Sequence, residues 1–466
     1  MRHIAISLLL PLTLSGCFMI GPDYQQPAVS IPDAWRFAPA ETVAANDTHW
    51  WEQFGDPRLT KLIEQALQHN KDLLIATASV EEYLGLYSIA RSDLFPQVRG
   101  TAFGQQQRDS GTTYGVAVTP AYDNIQAALN LSWEIDVWGR LRRATEAARA
   151  NLYGQEEIRH TVVLTLVTGV ARSYVQLREL DLRLEIAKQT LADRREALRI
   201  AQARFDGELN SKAQVSQAKS EVHNAAALIP QLEKQIAQKE HELNVLLGHN
   251  PAALERGLPL AELRLPGVPA GLPSELLARR PDIRQAEQDL IAANANIGVA
   301  KGEYFPKFTL TGRLGTASAD FSQLLSGPSG MWSYGVALAM PLFTAGKIAG
   351  QVKAAEAREQ QALFRYQRTL LQAFRETEDA LIDNTKTLEQ VQELSRQETA
   401  LSEYLKLAWL RYNNGLTNYL EVLDAQRNLF DTKLALATGR SNSLQALINL
   451  YKAFGGSWVD KVSENQ

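Results

Sequence analysis

The sequence is built twice over. Phe95-Pro96 recurs as Phe305-Pro306, each after an Ala-rich helical run and before a short alternating segment. Gly139 recurs as Gly346, where alternation stops and a long helical pattern begins. Arg204-Phe205-Asp206-Gly207 returns as Arg411-Tyr412-Asn413-Asn414-Gly415, and Leu246-Leu247-Gly248 returns near Ala453-Phe454-Gly455. The offset stays near 207 to 210 residues, which identifies a tandem duplication. Each copy supplies two strands within long helices. Four strands cannot close a membrane barrel, so a chain of this kind must oligomerise to hide its strand edges.

The first strand of each copy is weakly patterned and the second strongly so. Residues 97–107 alternate weakly. Over 124–137, Ile125, Ala127, Leu129, Leu131, Trp133, Ile135 and Val137 form one face, opposite Gln126, Asn130, Ser132, Glu134 and Asp136. The second copy repeats this with Phe308, Leu310 and Leu314 over 307–316, then Trp332, Tyr334, Val336, Leu338, Met340 and Leu342 over 332–342. A soluble sandwich fits such alternation as well as a barrel does. Trp133, Trp138, Trp332 and Tyr334 suit interfacial girdles. The Gly- and Ser-rich stretches 108–122 and 317–330 suit outer loops.

The helices are long. Gln351 to Asn414 contains no Gly or Pro, about 64 residues and roughly 95 Å if unbroken. Gln155 to Asp206 is interrupted only by Gly169, and Leu177, Leu184, Leu191 and Leu198 recur every seven residues with Leu180 and Ala187 between them. That is a coiled-coil seam. A soluble coiled-coil stalk accounts for the helices alone, but not for strand pairs at matching points in both copies.

The N-terminus reads as a secretion signal: Met1-Arg2-His3, an apolar run from Ile4 to Leu14, then Leu14-Ser15-Gly16-Cys17. Leu-Ser-Gly-Cys resembles a bacterial lipobox, which makes Cys17, the sole cysteine, the lipidated first residue of the mature protein. Phe18 follows rather than Asp, so nothing resembles an inner-membrane retention signal. The expected boundaries are a signal peptide over 1–16, a lipid-anchored extended arm over 17–50 and repeat 1 over 51–250. A Pro-rich linker over 251–273, repeat 2 over 274–456 and a polar tail over 457–466 complete the chain. Among the 466 residues, a net charge of −4 gives no reason to expect nucleic acid. No run of about 18 apolar residues follows the N-terminus, which argues against a transmembrane helix but not against barrel strands.

Four motifs resemble the TolC-like outer-membrane factor family, and its lipidated multidrug-efflux branch of the OprM/NodT type. They are Gly21-Pro22-Asp23-Tyr24-Gln25-Gln26-Pro27, the Trp-Trp…Phe…Asp-Pro…Leu run at 50–59, Arg279-Arg280-Pro281-Asp282-Ile283-Arg284-Gln285-Ala286-Glu287 leading to Phe305-Pro306, and Tyr419-Leu420-Glu421-Val422-Leu423-Asp424-Ala425-Gln426-Arg427. They run in order through nearly the whole mature chain. The resemblance implies a mixed α and β membrane protein. Three chains, four strands each, would form one 12-stranded outer-membrane barrel continuing into a periplasmic helical coiled-coil tunnel. It also implies a passive efflux duct, fed by an inner-membrane pump of the resistance-nodulation-division type through a periplasmic adaptor (membrane fusion) protein, in the Gram-negative outer membrane.

The resemblance further places an acidic aperture at the tunnel tip. Glu421 and Asp424, three apart, share one helix face. Threefold symmetry would make them rings that admit cations. Leu420 aligns with an apolar constriction of this branch, and Tyr412 and Arg427 with positions that tie neighbouring helices together in a closed state. Thr417 stands where some relatives carry an arginine that adds a closing bond. Spacing alone fits an alternative, a solvated face with a local pair between Asp424 and Arg427 worth a few tenths of a kcal/mol.

No catalytic constellation appears. Ala345-Gly346-Lys347-Ile348 lacks the first glycine and the hydroxyl residue of a phosphate loop, and there is no His-Glu-x-x-His or Gly-x-Ser-x-Gly. Seven histidines are scattered, so no metal or cofactor is expected beyond the lipid on Cys17. The competing readings are a duct for secreted proteins of type I secretion and a lipid-anchored periplasmic coiled-coil spacer without a pore.

Overall fold

The computed structural model describes residues 19–37, 43–44, 49–108, 110, 120–208, 211–264, 269–270 and 273–456. Cys17, the signal segment, the tail at 457–466 and positions 111–119 of the first expected outer loop lie outside the described residues. The duplication is visible element by element. Helices α1 (Pro57–His69) and α2 (Lys71–Ser92) precede strands β1 (Gln97–Gln107) and β2 (Tyr122–Ile135), then helices α3 (Arg140–Asp206) and α4 (Lys212–Leu246). The second copy gives α5 (Pro281–Gly302), β3 (Lys307–Ser318), β4 (Gly330–Ala339), α6 (Lys347–Asn413) and α7 (Tyr419–Ala453). Helices α2 and α5 both have 22 residues, α3 and α6 both 67, α4 and α7 both 35. A 67-residue helix spans about 100 Å at 1.5 Å per residue.

Gly139 and Gly346 begin the long helices with φ of +76° and +84°, a backbone turn that costs other residues about 1 kcal/mol or more. Strand β2 ends two residues before the alternation suggests. Asp136 leaves the strand and its carboxylate accepts from the Leu141 and Arg142 amides, both at 3.0 Å, capping α3. Strand β4 stops at Ala339, short of Met340 and Leu342, because Pro341 has no amide to continue the ladder.

These elements pack as two compact units, and each unit draws on both copies of the repeat. One comprises Met1–Ala28, Ser79–Glu156 and Gln285–Gln367; the other comprises Val29–Ala78, Glu157–Arg284 and Arg368–Gln466.

The first unit holds one antiparallel sheet in the order β1-β2-β3-β4. Its register places most apolar side chains on one face and most polar ones on the other. One face carries Val98, Leu131, Gly312 and Tyr334 in a row, then Leu129, Leu314 and Trp332, then Trp133, Leu310 and Val336. The opposite face carries Gln97, Ser132 and Thr311, then Arg99, Asn130, Arg313 and Ser333. The apolar face is bare at β4, where Trp332 and Tyr334 are 72% and 81% exposed with stacked rings. Trp133 stays in its strand and its indole donates to the Leu94 carbonyl at 3.0 Å. Trp138 lies past the strand, packs on Phe305 and donates to the Pro306 carbonyl at 2.9 Å, so its packing is internal. The segment between β3 and β4 contains two short 3-10 turns, Phe321–Gln323 and Gly327–Ser329.

The arm docks onto this unit through the Gly-Pro-Asp-Tyr motif. Gly21 has φ +102°, and a Cβ there would lie 2.5 Å from Gly298 Cα, so only glycine allows this approach. Arg143, buried, bonds Asp23, Glu146 (2.8 Å) and the Ile20 carbonyl; the Tyr24 hydroxyl donates to Glu287 at 3.0 Å. Burial beside the Glu287 carboxylate pushes the Tyr24 pKa up.

The second unit is centred on Trp50, Trp51 and Phe54, packed with Leu59, Leu62, Val167 and Tyr174. Asp56 caps α1, accepting from the Arg58 amide at 2.8 Å. Its other oxygen accepts from the Tyr174 hydroxyl (2.6 Å) and the Leu258 amide (2.9 Å). The Pro-rich segment between the copies is therefore packed over its described stretch 251–264. Leu260 and Leu263 enter the same core, and Arg256 bonds Asp181 and Glu240 at 2.8 and 2.7 Å. Short segments Val43–Ala44 and Pro269–Ala270 pair in parallel. Arg280, buried before Pro281, holds Asp282, Glu376 and the Ala453 carbonyl at 2.7 to 3.1 Å. Three of the four sequence motifs are thus internal fastenings.

Candidate functional site

The fourth motif forms a helical hairpin turn. Helix α6 ends at Asn413, and Asn418 caps α7, its side chain accepting from the Leu420 amide at 3.0 Å. Apolar spacing sets the orientation of α7. Tyr419, Val422, Leu423 and Ala425 turn inward against Ala201, Ala218, Ala408 and Tyr412. Leu420, Asp424 and Arg427 are left outside. Leu420 is 51% exposed, a large apolar side chain in water at a hairpin end.

The two carboxylates are treated differently. Glu421, half-buried, is bonded by Arg411 Nη1 at 2.9 Å and by the Thr417 hydroxyl. Asp424 is exposed and accepts only from Asn428 Nδ2, at 3.2 Å, with no ion pair among the described residues. Thr417 thus acts within the turn. The local pair between Asp424 and Arg427 does not form.

Arg427 instead reaches the other hairpin. Its Nε donates to Glu221 Oε1 at 2.8 Å, and its Nη2 to the same oxygen. Glu221 is 3% exposed on α4. Behind it lies buried Arg194 of α3, whose Nη1 donates to the Glu221 carbonyl at 2.9 Å and stands 3.1 Å from Oε2. That second approach is an ion-pair distance without hydrogen-bond alignment, so Oε2 lacks a donor. Burial lowers the Arg194 pKa, and the Glu221 hydrogen bond raises that of Arg427. Arg194 also lies over Phe430, 5.0 Å from its centroid. Tyr412, the other fastening candidate, is buried under the Arg204 guanidinium at 4.3 Å and beside Tyr419. The Arg194–Glu221–Arg427 chain therefore joins three helices within one protomer. Neither Glu221 nor Arg194 belongs to a motif read from the sequence. The signal that points to Glu221 is a carboxylate set in the apolar stripe of Ala218, Val222 and Ala225.

Among the described residues no cluster of three or more His, Cys, Asp or Glu could hold a metal, and no helix is long and apolar enough to cross a membrane.

The description of the outer membrane efflux protein family matches residues 62–249 and again 272–456. The chain is 35% identical over 459 residues to the probable efflux pump outer membrane protein TtgC of Pseudomonas putida, covering 97% of this chain and 95% of that one. It is 35% identical over 476 residues to the solvent efflux pump outer membrane protein SrpC of Pseudomonas putida, covering all of both. The probable outer membrane lipoprotein SilC of Salmonella typhimurium is 33% identical over 456 residues, 96% of this chain and 97% of SilC. Among solved structures, the outer-membrane channel OprN superposes with a TM-score of 0.89 at 30% identity over 94% of this chain and 99% of its own. CusC, whose structures concern folding and transmembrane channel formation, gives 0.84 at 32% over 94% and 99%. A repeat matched in both copies, carried on long paired helices with a two-faced sheet, makes this chain a member of the outer membrane efflux protein family, located in the outer membrane.

Proposed function

We propose that three copies of this chain pool their sheets into one 12-stranded barrel in the outer membrane. The barrel continues as a helical coiled-coil duct into the periplasm and passes small toxic compounds outward. One observation carries the reading. A four-stranded sheet with a bare apolar face has open edges on β1 and β4, and four strands are too few to close on themselves. Copies joined edge to edge satisfy the edge amides, turn the apolar face to lipid and enclose the polar face as a wet lumen.

In this reading Cys17 carries the lipid, and the names of the lipoprotein and efflux-pump relatives support that anchor and a pump partner. A periplasmic adaptor and an inner-membrane pump of the resistance-nodulation-division type supply docking and energy. Glu421 and Asp424 line the periplasmic aperture beside Leu420. Arg427 and Tyr412 hold α7 against the neighbouring helices, and the domain boundaries follow the duplication. Asp424, exposed and without a cation, is the stronger contributor to cation selectivity; Arg411 offsets Glu421.

The test is single-channel recording of the purified protein in planar bilayers beside a Glu421→Ala/Asp424→Ala variant. A small cation-selective conductance is expected, rising or losing selectivity in the variant. Unchanged selectivity would remove the aperture assignment. A monomer with no β signal would favour the non-pore spacer.

A further inference from the structure

We propose that Arg99 and Arg313 form an anion-favouring belt on the wet face of the strands, a charge filter separate from Glu421 and Asp424. The inference rests on the barrel reading above, with the polar sheet face turned to water.

The register brings the two together. Arg99 pairs with Asn130, Asn130 with Arg313 and Arg313 with Ser333, so both arginines of this face lie in one cross-strand row. Strands sit about 4.8 Å apart, which puts their backbones about 10 Å from each other. That matches the Debye length of about 10 Å at 0.1 M salt, so their fields overlap.

The other charges of this face are cancelled locally. Glu134 takes two bonds from Arg140 Nη2, at 2.8 and 2.9 Å, and Lys307 is held by Glu303 at 2.9 Å. Glu134 is also four residues along β2 from the row, about 13 Å. Neither Arg99 nor Arg313 has an acidic partner among the described residues. Arg313 is oriented by Gln126, to whose Oε1 its Nη2 donates, while Gln126 in turn donates to Asn124 at 2.8 Å. Its Nε is buried with no acceptor. A guanidinium held in place by a neutral amide keeps its full charge and offers further donors to a planar anion. Three copies repeat the row three times around the lumen. The solutes favoured are small organic anions bearing carboxylate or phosphate groups.

The simpler account is that Arg313 only braces β2 against β3. The experiment separates the two. Reversal potentials are measured in planar bilayers across a KCl gradient at low salt, in the Glu421→Ala/Asp424→Ala background where the aperture is uncharged. Chloride is expected to permeate more readily than potassium in that background. Adding Arg99→Gln and Arg313→Gln should abolish the preference, and Arg99→Lys with Arg313→Lys should keep it. A permeability ratio identical in the glutamine variant and its background would overturn the belt. The barrel reading has its own readout, labelling of Ser333→Cys and Val336→Cys in inserted protein by a charged thiol reagent. Reaction at 333 and protection at 336 are expected; the reverse would overturn the face assignment itself.

Discussion

At the scale of single residues, the signature positions of this chain do structural work before any transport chemistry. Asp56 is nearly fully buried, yet it caps α1 and receives a tyrosine hydroxyl and the Leu258 amide. Asp56→Ala removes the cap and strands two buried donors. It should destabilise the protein by about 2–4 kcal/mol in urea unfolding of the detergent-solubilised protein. A loss under about 0.5 kcal/mol, within the usual range for surface changes, would mean the network is not holding this core. The run Trp50-Trp51…Phe54…Asp56-Pro57 was legible as a motif, but its purpose was not. Tyr174 and Leu258 lie more than a hundred residues away in sequence, so only the folded chain brings them to Asp56.

At the scale of elements, hydrophobic period and backbone chemistry made most of the structure legible. The absence of Gly and Pro from 351 to 414 marked α6, which ends at Asn413, and alternation marked β2 and β4. The errors were local ones. A carboxylate that could extend a strand capped a helix instead at Asp136, and Pro341 cut β4 short. The hairpin turn is held by α7 packing, and it supplies a pH prediction. Burial, with added repulsion from Glu221 and proximity to Tyr412, pushes the Tyr419 pKa from 10.0 up to about 12. The folded state therefore binds the phenol proton more tightly than the unfolded state does. The stabilisation is full below pH 10 and is lost as pH rises through about 12. Alkaline titration should release the turn over that window, read by fluorescence of Trp409, whose ring lies 5.9 Å from that of Tyr412. Tyr419→Phe should flatten this transition; an unchanged alkaline profile would mean that another group controls it.

At the scale of the whole molecule, duplication and compact packing cut the chain differently. The family description follows the repeats at 62–249 and 272–456, whereas each packed unit interleaves both copies. Sheet and core consequently depend on residues from both copies of the repeat. The same sheet predicts the assembly. Proline at Val336 or at Ala337 removes one amide of β4, and successive amides point alternately toward β3 and toward the open edge. One of the two variants should keep the intrachain sheet and lose the heat-sensitive trimer on unheated gels. Trimers of normal stability from both would mean that β4 is not a joining edge.

The sequence by itself determined the repeat, the helix lengths, the two-sided strands and the family. Those properties are written in periodicity and local backbone preference, which act over a few residues and survive duplication. Only the tertiary structure decided that Arg427 binds Glu221 rather than Asp424, that Leu260 and Leu263 between the copies pack into a core, and that Arg99 and Arg313 share a row. Each of those depends on strand register or on helix faces meeting across large sequence separations. A register shift of a single residue would reverse every side chain on a strand, and spacing along one chain does not reveal which register is adopted.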